Sequence, residues 1–216
     1  AVVYQNLATL TKGNTPVPEV LLLGGPNLFF EGLQQAWRFH LKKLWKERKI
    51  ALAIGNYIEE ADQEILDAVR KAAQILREQG ATIKEVNMDF LKEAALANGL
   101  MTQADGAAFH RERMKEHPDW FGADVRQRLE TGAAFTSTEY ALARRTQAEV
   151  TRHCDLLFDE YDLLLLPTTP IPAPVLEGEN AVERARQLTR FTAPFNLTGL
   201  PALSVPCGFT KDRLPI

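Results

Sequence analysis

The chain has 216 residues, of which 45% are hydrophobic, and this fits one domain or a compact pair of domains with a real core. A formal net charge of −3 without a basic stripe excludes a general nucleic-acid binder, and two cysteines exclude a disulfide scaffold. No apolar run approaches the ~20 residues that cross a bilayer, and no signal peptide is recognisable at the start, so a cytoplasmic protein without membrane partners is expected.

The first elements lie before residue 49. Residues 17–25, "VPEVLLLGG", predict an apolar strand that ends on Gly24 and Gly25. The stretch that follows, "PNLFFEGLQQAWRFHLKKLWKER", spaces its apolar residues three and four apart, which predicts a helix. Together they form an N-terminal strand–helix unit.

A strand–helix–strand unit comes next. "KIALAI" predicts a strand that ends at Gly55, and Asp62 is the expected cap of the following helix, which ends near Gly80. The apolar face of that helix consists of Ile65, Leu66, Val69, Ala72, Ala73 and Leu76. "ATIKEV" predicts the second strand, and this order implies a parallel pair.

The remaining pattern is helical up to Tyr161. We expect one or two helices before Pro118, a short helix ending at Gly132, and a long helix capped by Thr136 or Ser137. "DLLLLP" predicts a buried strand, and "PALSVP" predicts the last one. The fold class is therefore α/β, a partly parallel mixed sheet flanked by helices.

Nucleophiles are scarce in this sequence. Its two serines are Ser137, which fits a helix start, and Ser204, which fits a structural hydroxyl in a strand. Neither lies in a Gly-x-Ser-x-Gly turn. Cys207 has no histidine near it in sequence and is expected to be a free, partly buried thiol. No catalytic residue is assigned.

Metal and cofactor sites are not predicted either. His110 and His117 are seven residues apart, whereas a zinc pair on a helix is usually four apart, so both are expected to be exposed side chains of a charged helix. The acidic runs "NYIEEAD" and "LFDEYD" are interpreted as solvated helix and strand ends.

From about residue 49 to residue 216 the sequence resembles the C-terminal half of the amidase signature family. The resemblance is carried, in order, by "KIALAIGNYIEEADQEILDAVRKAAQILREQGATIKEV", "DVRQRLETG", "TEYALARRTQAEV", "FDEYDLLLLPTTPIPAP" and "FTAPFNLTGLPALSVPCGF". It implies an amidase-like fold and C–N bond hydrolysis of carboxylic amides. Members use a serine nucleophile, a second serine in a cis peptide and a lysine base. Those residues lie in a Gly- and Ser-rich stretch that has no counterpart here, so the chain is expected to be inactive alone.

The resemblance also implies residues that face the substrate. Matched position by position, these are Arg186, Thr189 and Ala193, with Arg128 as a looser match. The three- and four-residue spacing suggests one helix face. Glutamine-type amidotransferases of the family have an aspartate where Thr189 stands, and this departure leaves the amide substrate open.

Residues 1–48 resemble a different family. Their pattern is similar to the end of an ATPase domain of the actin/hexokinase/Hsp70 superfamily, of the 2-hydroxyacyl-CoA dehydratase activator type. In that resemblance Gly24 and Gly25 let the backbone approach a nucleotide. A plain strand–turn–helix explains the same glycines, and the phosphate-binding loops are not present, so no cofactor is predicted.

Together these patterns predict two segments, 1–48 and 49–216, in a fragmentary or chimeric chain. The expected function is a portion of an amidohydrolase that acts on a small amide when the missing half is supplied. The alternative is a non-catalytic binding module with a remnant Gly-Gly motif. Sheet edges left uncovered in a fragment favour pairing, which predicts a homo-oligomer.

Overall fold

The computed structural model describes residues 2–3, 45–46, 48–175 and 187–216. The strand and helix predicted before residue 45 lie outside these ranges, as do Gly24, Gly25 and Arg186. No helix within the described ranges is long and apolar enough to cross a membrane.

The described strands form one mixed sheet. They are β1 (Val2–Val3), β2 (Lys49–Ile54), β3 (Thr82–Asn87), β4 (Leu163–Leu165) and β5 (Ala202–Leu203), in the order β3-β2-β4-β1-β5. Strand β2 runs parallel to both β3 and β4, while β1 runs antiparallel to β4 and β5. The predicted partly parallel mixed sheet is confirmed.

Helices connect and cover these strands. They are α1 (Asn56–Glu59), α2 (Gln63–Glu78), α3 (Leu91–Glu116), α4 (Ala123–Ala134), α5 (Ser137–Glu160) and α6 (Ala193–Thr198). Asp62 caps α2 as predicted, and its side chain accepts from the Glu64 N–H at 2.9 Å. Thr136 and Glu139 form the expected capping box at the start of α5. The segment before Pro118 is one helix.

Both faces of the central strands are buried, because alternate side chains point to opposite faces. Ala51, Ala53, Leu164 and Leu166 pack on one face against residues of α1, α3 and α6. Ile50, Leu52, Leu163 and Leu165 pack on the other face, mainly against α2. The apolar runs "IALA" and "LLLL" are thus the shared centre of a three-layer arrangement.

The helices α3, α4 and α5 form a further layer. Ala94, Ala97 and Met101 of α3 pack against Ala143 and Val150 of α5, and Leu197 of α6 joins the same cluster. Helix α4 approaches α3 so closely that a methyl group at Gly132 would collide with the carbonyl oxygen of Gln103. Glycine at this position sets the spacing of the two helices.

The turn from β2 into α1 depends on a contact with the end of β3. Gly55 has a φ of +119°, and an added Cβ would lie 2.6 Å from Asp89 Oδ1. The same oxygen accepts from the Tyr57 N–H at 2.8 Å. The hydrogen bonds from Tyr57 and from the Asn87 side chain lower the pKa of Asp89 below its usual value. Asp89, which follows β3, therefore caps the start of α1, which follows the neighbouring strand β2.

Two strands differ from the sequence-based expectation. β1 was not predicted, because two valines carry no periodic signal. "PALSVP" forms only the two-residue strand β5, because prolines at both ends cannot donate to a ladder.

Gly132→Ala is expected to destabilise the fold, and Gly99→Ala is its matched control. Both replace a helical glycine, but a Cβ at Gly99 meets nothing within 4 Å. We expect Gly99→Ala to raise the free energy of unfolding by about 0.5–1 kcal/mol and Gly132→Ala to lower it by about 1–3 kcal/mol. Urea unfolding measures both, and equal effects of the two substitutions would contradict the close helix contact.

Removing the Asp89 carboxylate is expected to destabilise the protein in a pH-dependent way. The pKa of Asp89 is lowered in the folded state, so its contribution is present above the unfolded pKa and is lost as pH falls through the lowered value. Asp89→Ala should therefore lower the melting temperature by a few degrees at pH 7 and by less near pH 3. Asp89→Asn keeps a carbonyl acceptor and should show only part of that loss. A difference in melting temperature between Asp89→Ala and wild type that stays the same from pH 7 to pH 3 would contradict this.

Candidate functional site

The carboxyl ends of β2, β3 and β4 meet at one edge of the sheet, because these strands are parallel. Open α/β sheets bind ligands outside this edge. The loops that leave it begin at Gly55, Met88 and Leu166. We call this the carboxyl-edge site.

An arginine from the C-terminal part of the chain closes the site on one side. The Arg190 guanidinium lies over the Tyr57 ring at 4.4 Å from the centroid and forms an ion pair with Glu60. In return, the Tyr57 hydroxyl donates to the Arg190 carbonyl oxygen at 2.7 Å. Phe191 meets the Tyr57 ring edge-on at 5.4 Å. The segment before α6 is thus fixed to the turn after β2.

Burial sets the protonation of this tyrosine. It raises the pKa of Tyr57 above its usual value, and the Arg190 charge offsets only part of that rise. The hydroxyl therefore stays protonated at neutral pH and keeps its donor role. In this arrangement Tyr57 is a structural hydrogen-bond donor, and a proton-transfer role is not supported.

The predicted substrate-facing residues lie on different elements. Thr189 is exposed in the turns before α6, and its carbonyl oxygen accepts from the Ala193 N–H at 2.8 Å. Ala193 begins α6 and is 8% exposed, so it does not share an open face with Thr189. Arg128 is exposed on α4. Helices α4 and α6 both pack against α3, which is the common support for these positions.

The far end of α6 is fixed as well. The Gln147 side chain of α5 donates to the Leu197 carbonyl oxygen at 2.6 Å, and Gly199 ends the helix with a φ of +72°. Phe195 and Leu197 are buried on either side of Asn196, which is exposed. Segment 187–199 is therefore anchored at both ends while Thr189 stays accessible.

A cleft lies next to this edge, beside α2. Its volume is about 350 Å³ and its rim includes Thr168 and Ser204, whose hydroxyl oxygens are 3.1 Å apart. The lining residues are Ile65, Val69, Pro167, Thr168, Thr169, Pro172, Ala173, Ser204, Val205, Pro206, Cys207, Pro215 and Ile216. These contain no lysine, histidine or carboxylate side chain that could deprotonate a hydroxyl.

The other candidate nucleophiles are also unactivated. Ser137 is the exposed first residue of α5, directly after the Thr136 cap. Burial raises the pKa of Cys154 to about 12 and raises the pKa of the Cys207 thiol. Both cysteines are free thiols and are largely protonated at neutral pH.

The histidines serve packing in this structure. His117 stacks on Trp120 at 4.1 Å, and His110 is half-buried between Phe109 and Phe121. The expectation that both are exposed was wrong for His110 and is confirmed for His117. Within the described ranges no three His, Cys, Asp or Glu side chains come together as metal ligands.

Sequence reasoning missed the residues that build the carboxyl-edge site. Tyr57, Glu60 and Asp89 all follow directly after parallel strands, and this position was the available signal. Instead, "NYIEEAD" was interpreted as a solvated end. The interpretation was wrong for Tyr57, which is buried, whereas Glu60 is exposed as expected and also pairs with Arg190.

Comparison with known proteins identifies the family to which this chain is similar. The family model described as "Amidase" matches residues 30–216, a range that starts before the boundary expected at residue 49. An "Amidase" of Pseudomonas putida is 36% identical over 166 residues, which are 73% of this chain and 35% of that protein. A glutamyl-tRNA(Gln) amidotransferase subunit of Brevibacillus brevis is 33% identical over 72% of this chain and 37% of its own length.

Solved structures agree on the fold. A crystal structure of an amidase superposes with a TM-score of 0.68 over 79% of this chain and 40% of its own, at 24% identity. The chain thus spans little more than a third of the length of the curated relatives described above. None of these relatives supports the ATPase resemblance of residues 1–48. The family match over residues 30–216 and the shared fold lead to one conclusion: the chain belongs to the amidase signature family.

Proposed function

We propose that residues 49–216 are the substrate-facing portion of an amidohydrolase that cleaves the C–N bond of carboxylic amides. The family supports this assignment, and so does the carboxyl edge, where anchored segment 187–199 presents an accessible Thr189. In this role the chain binds and orients the amide, and it does not attack it.

The proposed substrate contacts come from Arg128, Arg186 and Thr189, whereas buried Ala193 supports the segment that carries Thr189. An exposed guanidinium at Arg128 suits a carboxylate or carbonyl oxygen of a ligand. A threonine at 189 supplies a neutral hydroxyl, where a carboxylate would attract a ligand ammonium group. We therefore propose that the substrate is an amide without an ammonium group, either uncharged or carrying a carboxylate, and not glutamine.

The reacting serine is proposed to lie outside this chain, whose two serines are Ser137 and Ser204. The observation that carries this proposal is the Thr168–Ser204 hydroxyl pair at 3.1 Å, in a cleft whose lining has no general base. A serine needs a positioned base to become a nucleophile at neutral pH. Among the residues that line this cleft, Ser204 has the Thr168 hydroxyl as its hydrogen-bond partner.

The purified chain is expected to hydrolyse amides no faster than buffer. Ammonia or amine release from a panel of aliphatic and aryl amides measures this, with the Pseudomonas putida amidase as the positive control. Ser204→Ala and Ser137→Ala should change nothing. Turnover that either substitution abolishes would contradict the assignment.

Nucleotide binding at Gly24 and Gly25 stays a prediction, because these glycines lie outside the described ranges and the family match already begins at residue 30. A melting temperature that does not rise with millimolar ADP would contradict it.

A further inference from the structure

The cleft beside α2 lies where the connections of two neighbouring strands leave for opposite faces of the sheet. After β2 the chain returns through α2, whose Val69 packs in one cluster with Leu165. After β4 it returns through α6, whose Phe195 packs with Leu164 on the other face. Strands β2 and β4 are adjacent and parallel. Ligands of open α/β sheets bind outside the carboxyl ends of the strands at such a switch point.

The walls of this cleft are held in place by the chain. Strands β4 and β5 are both antiparallel to β1, so the residues that follow them lie at the same edge of the sheet. The loop after β4 contains Pro167, Pro170 and Pro172, and each proline fixes its own φ. The Asp62 N–H, just before α2, donates to the Pro170 carbonyl oxygen at 2.7 Å. A cleft whose walls are already fixed loses little entropy when a ligand binds.

The lining of the cleft selects against charge. Among the described residues that line it, none has a charged side chain. Glu64 precedes the lining residue Ile65 but pairs with the C-terminal hairpin, where it accepts from the Lys211 N–H at 2.9 Å. Asp212 and Arg213 are exposed on the same hairpin and do not line the cleft. A charged ligand would lose its hydration here without gaining a partner.

The polar groups of the cleft are a pair of hydroxyls. The Thr169 hydroxyl already donates to the Ile171 carbonyl oxygen at 2.9 Å, whereas Thr168 and Ser204 are bonded to each other at 3.1 Å. In such a pair one O–H is used internally, which leaves one O–H donor and oxygen lone pairs for a ligand. A carboxamide presents a carbonyl acceptor and an N–H donor side by side and matches both. A carboxylate presents acceptors only.

We propose that this cleft is a binding site for a small uncharged amide. The carboxamide bonds to Thr168 and Ser204, and the alkyl or aryl group of the ligand packs on Ile65 and Val69. The volume of about 350 Å³ is at the lower end of the range for small-molecule sites, about 300–1,000 Å³. None of the proposed substrate contacts that the structure describes lines the cleft, so this inference goes beyond the proposed function and does not rest on it.

Cys207 makes binding in the cleft measurable, because it lines the cleft as a free thiol while Cys154 is 1% exposed. N-ethylmaleimide is used to modify Cys207 in the full chain, and mass spectrometry gives the rate at increasing concentrations of benzamide, benzoate or benzyl alcohol. Benzamide and benzoate have nearly the same shape and differ in charge. A ligand-observed NMR titration measures the same affinities independently of the thiol.

Thr168→Val/Ser204→Ala removes the hydroxyl pair, and Ser137→Ala is the matched control because Ser137 is exposed at the start of α5. We expect benzamide to slow modification of Cys207 at least fivefold in wild type and in Ser137→Ala. The double variant should need about tenfold more benzamide, because two hydrogen bonds are lost. Benzoate and benzyl alcohol should bind wild type at least tenfold more weakly than benzamide does.

Three results would overturn the proposal: no protection by benzamide, binding of benzoate or benzyl alcohol as tight as that of benzamide, or an unchanged benzamide affinity in the double variant. If the double variant does not fold, Ser204→Ala alone decides, because Ser204 is exposed. Ammonia release from benzamide by the chain would contradict the proposed function and leave the assignment of the cleft in place.

Discussion

The contact between Arg190 and the turn after β2 is the constraint on which the site depends. It joins residues 133 positions apart through a hydrogen bond, an ion pair with Glu60 and a stacked guanidinium. Without it, segment 187–199 would be attached to the rest of the described protein mainly through the buried side chains of Phe191 and α6 and the Gln147–Leu197 hydrogen bond. The turn itself depends on Gly55 and Asp89, so the constraint extends from β3 through β2 to α6.

The same geometry separates the side chains that position the site from those that could react. The centre of the sheet is buried on both faces, and the turns that leave it are held by hydrogen bonds. Tyr57 is bonded to Arg190, and Asp89 is bonded to the start of α1. Groups of this kind position a ligand-binding surface and do not exchange protons with a ligand. In the cleft, Ser204 has the Thr168 hydroxyl beside it and no general base in the lining, and burial raises the pKa of the Cys154 and Cys207 thiols. This geometry supports the proposed function, in which the chain recognises an amide and the reacting group comes from elsewhere.

A feature could be predicted from the sequence when the residues that form it are close together along the chain. Asp62 and the Thr136–Glu139 pair were predictable, because helix caps act within three residues. The buried strands were predictable from uninterrupted apolar runs. The pairing of Glu60 with Arg190 was not, because a surface-like acidic run carries no mark of its distant partner. The shape around Thr189 was missed for a related reason: a helical spacing was assumed where the chain forms turns.

Native-state hydrogen exchange on Arg190→Met tests this account most directly. Arg145→Met is the control, because Arg145 forms an exposed ion pair with Glu149 on α5. We predict that amides of α6 and Gly199 exchange about tenfold faster or more in Arg190→Met, while amides of β2 keep their protection. Unchanged exchange in α6, or equal loss across β2 and α6, would contradict the claim that Arg190 holds the site together.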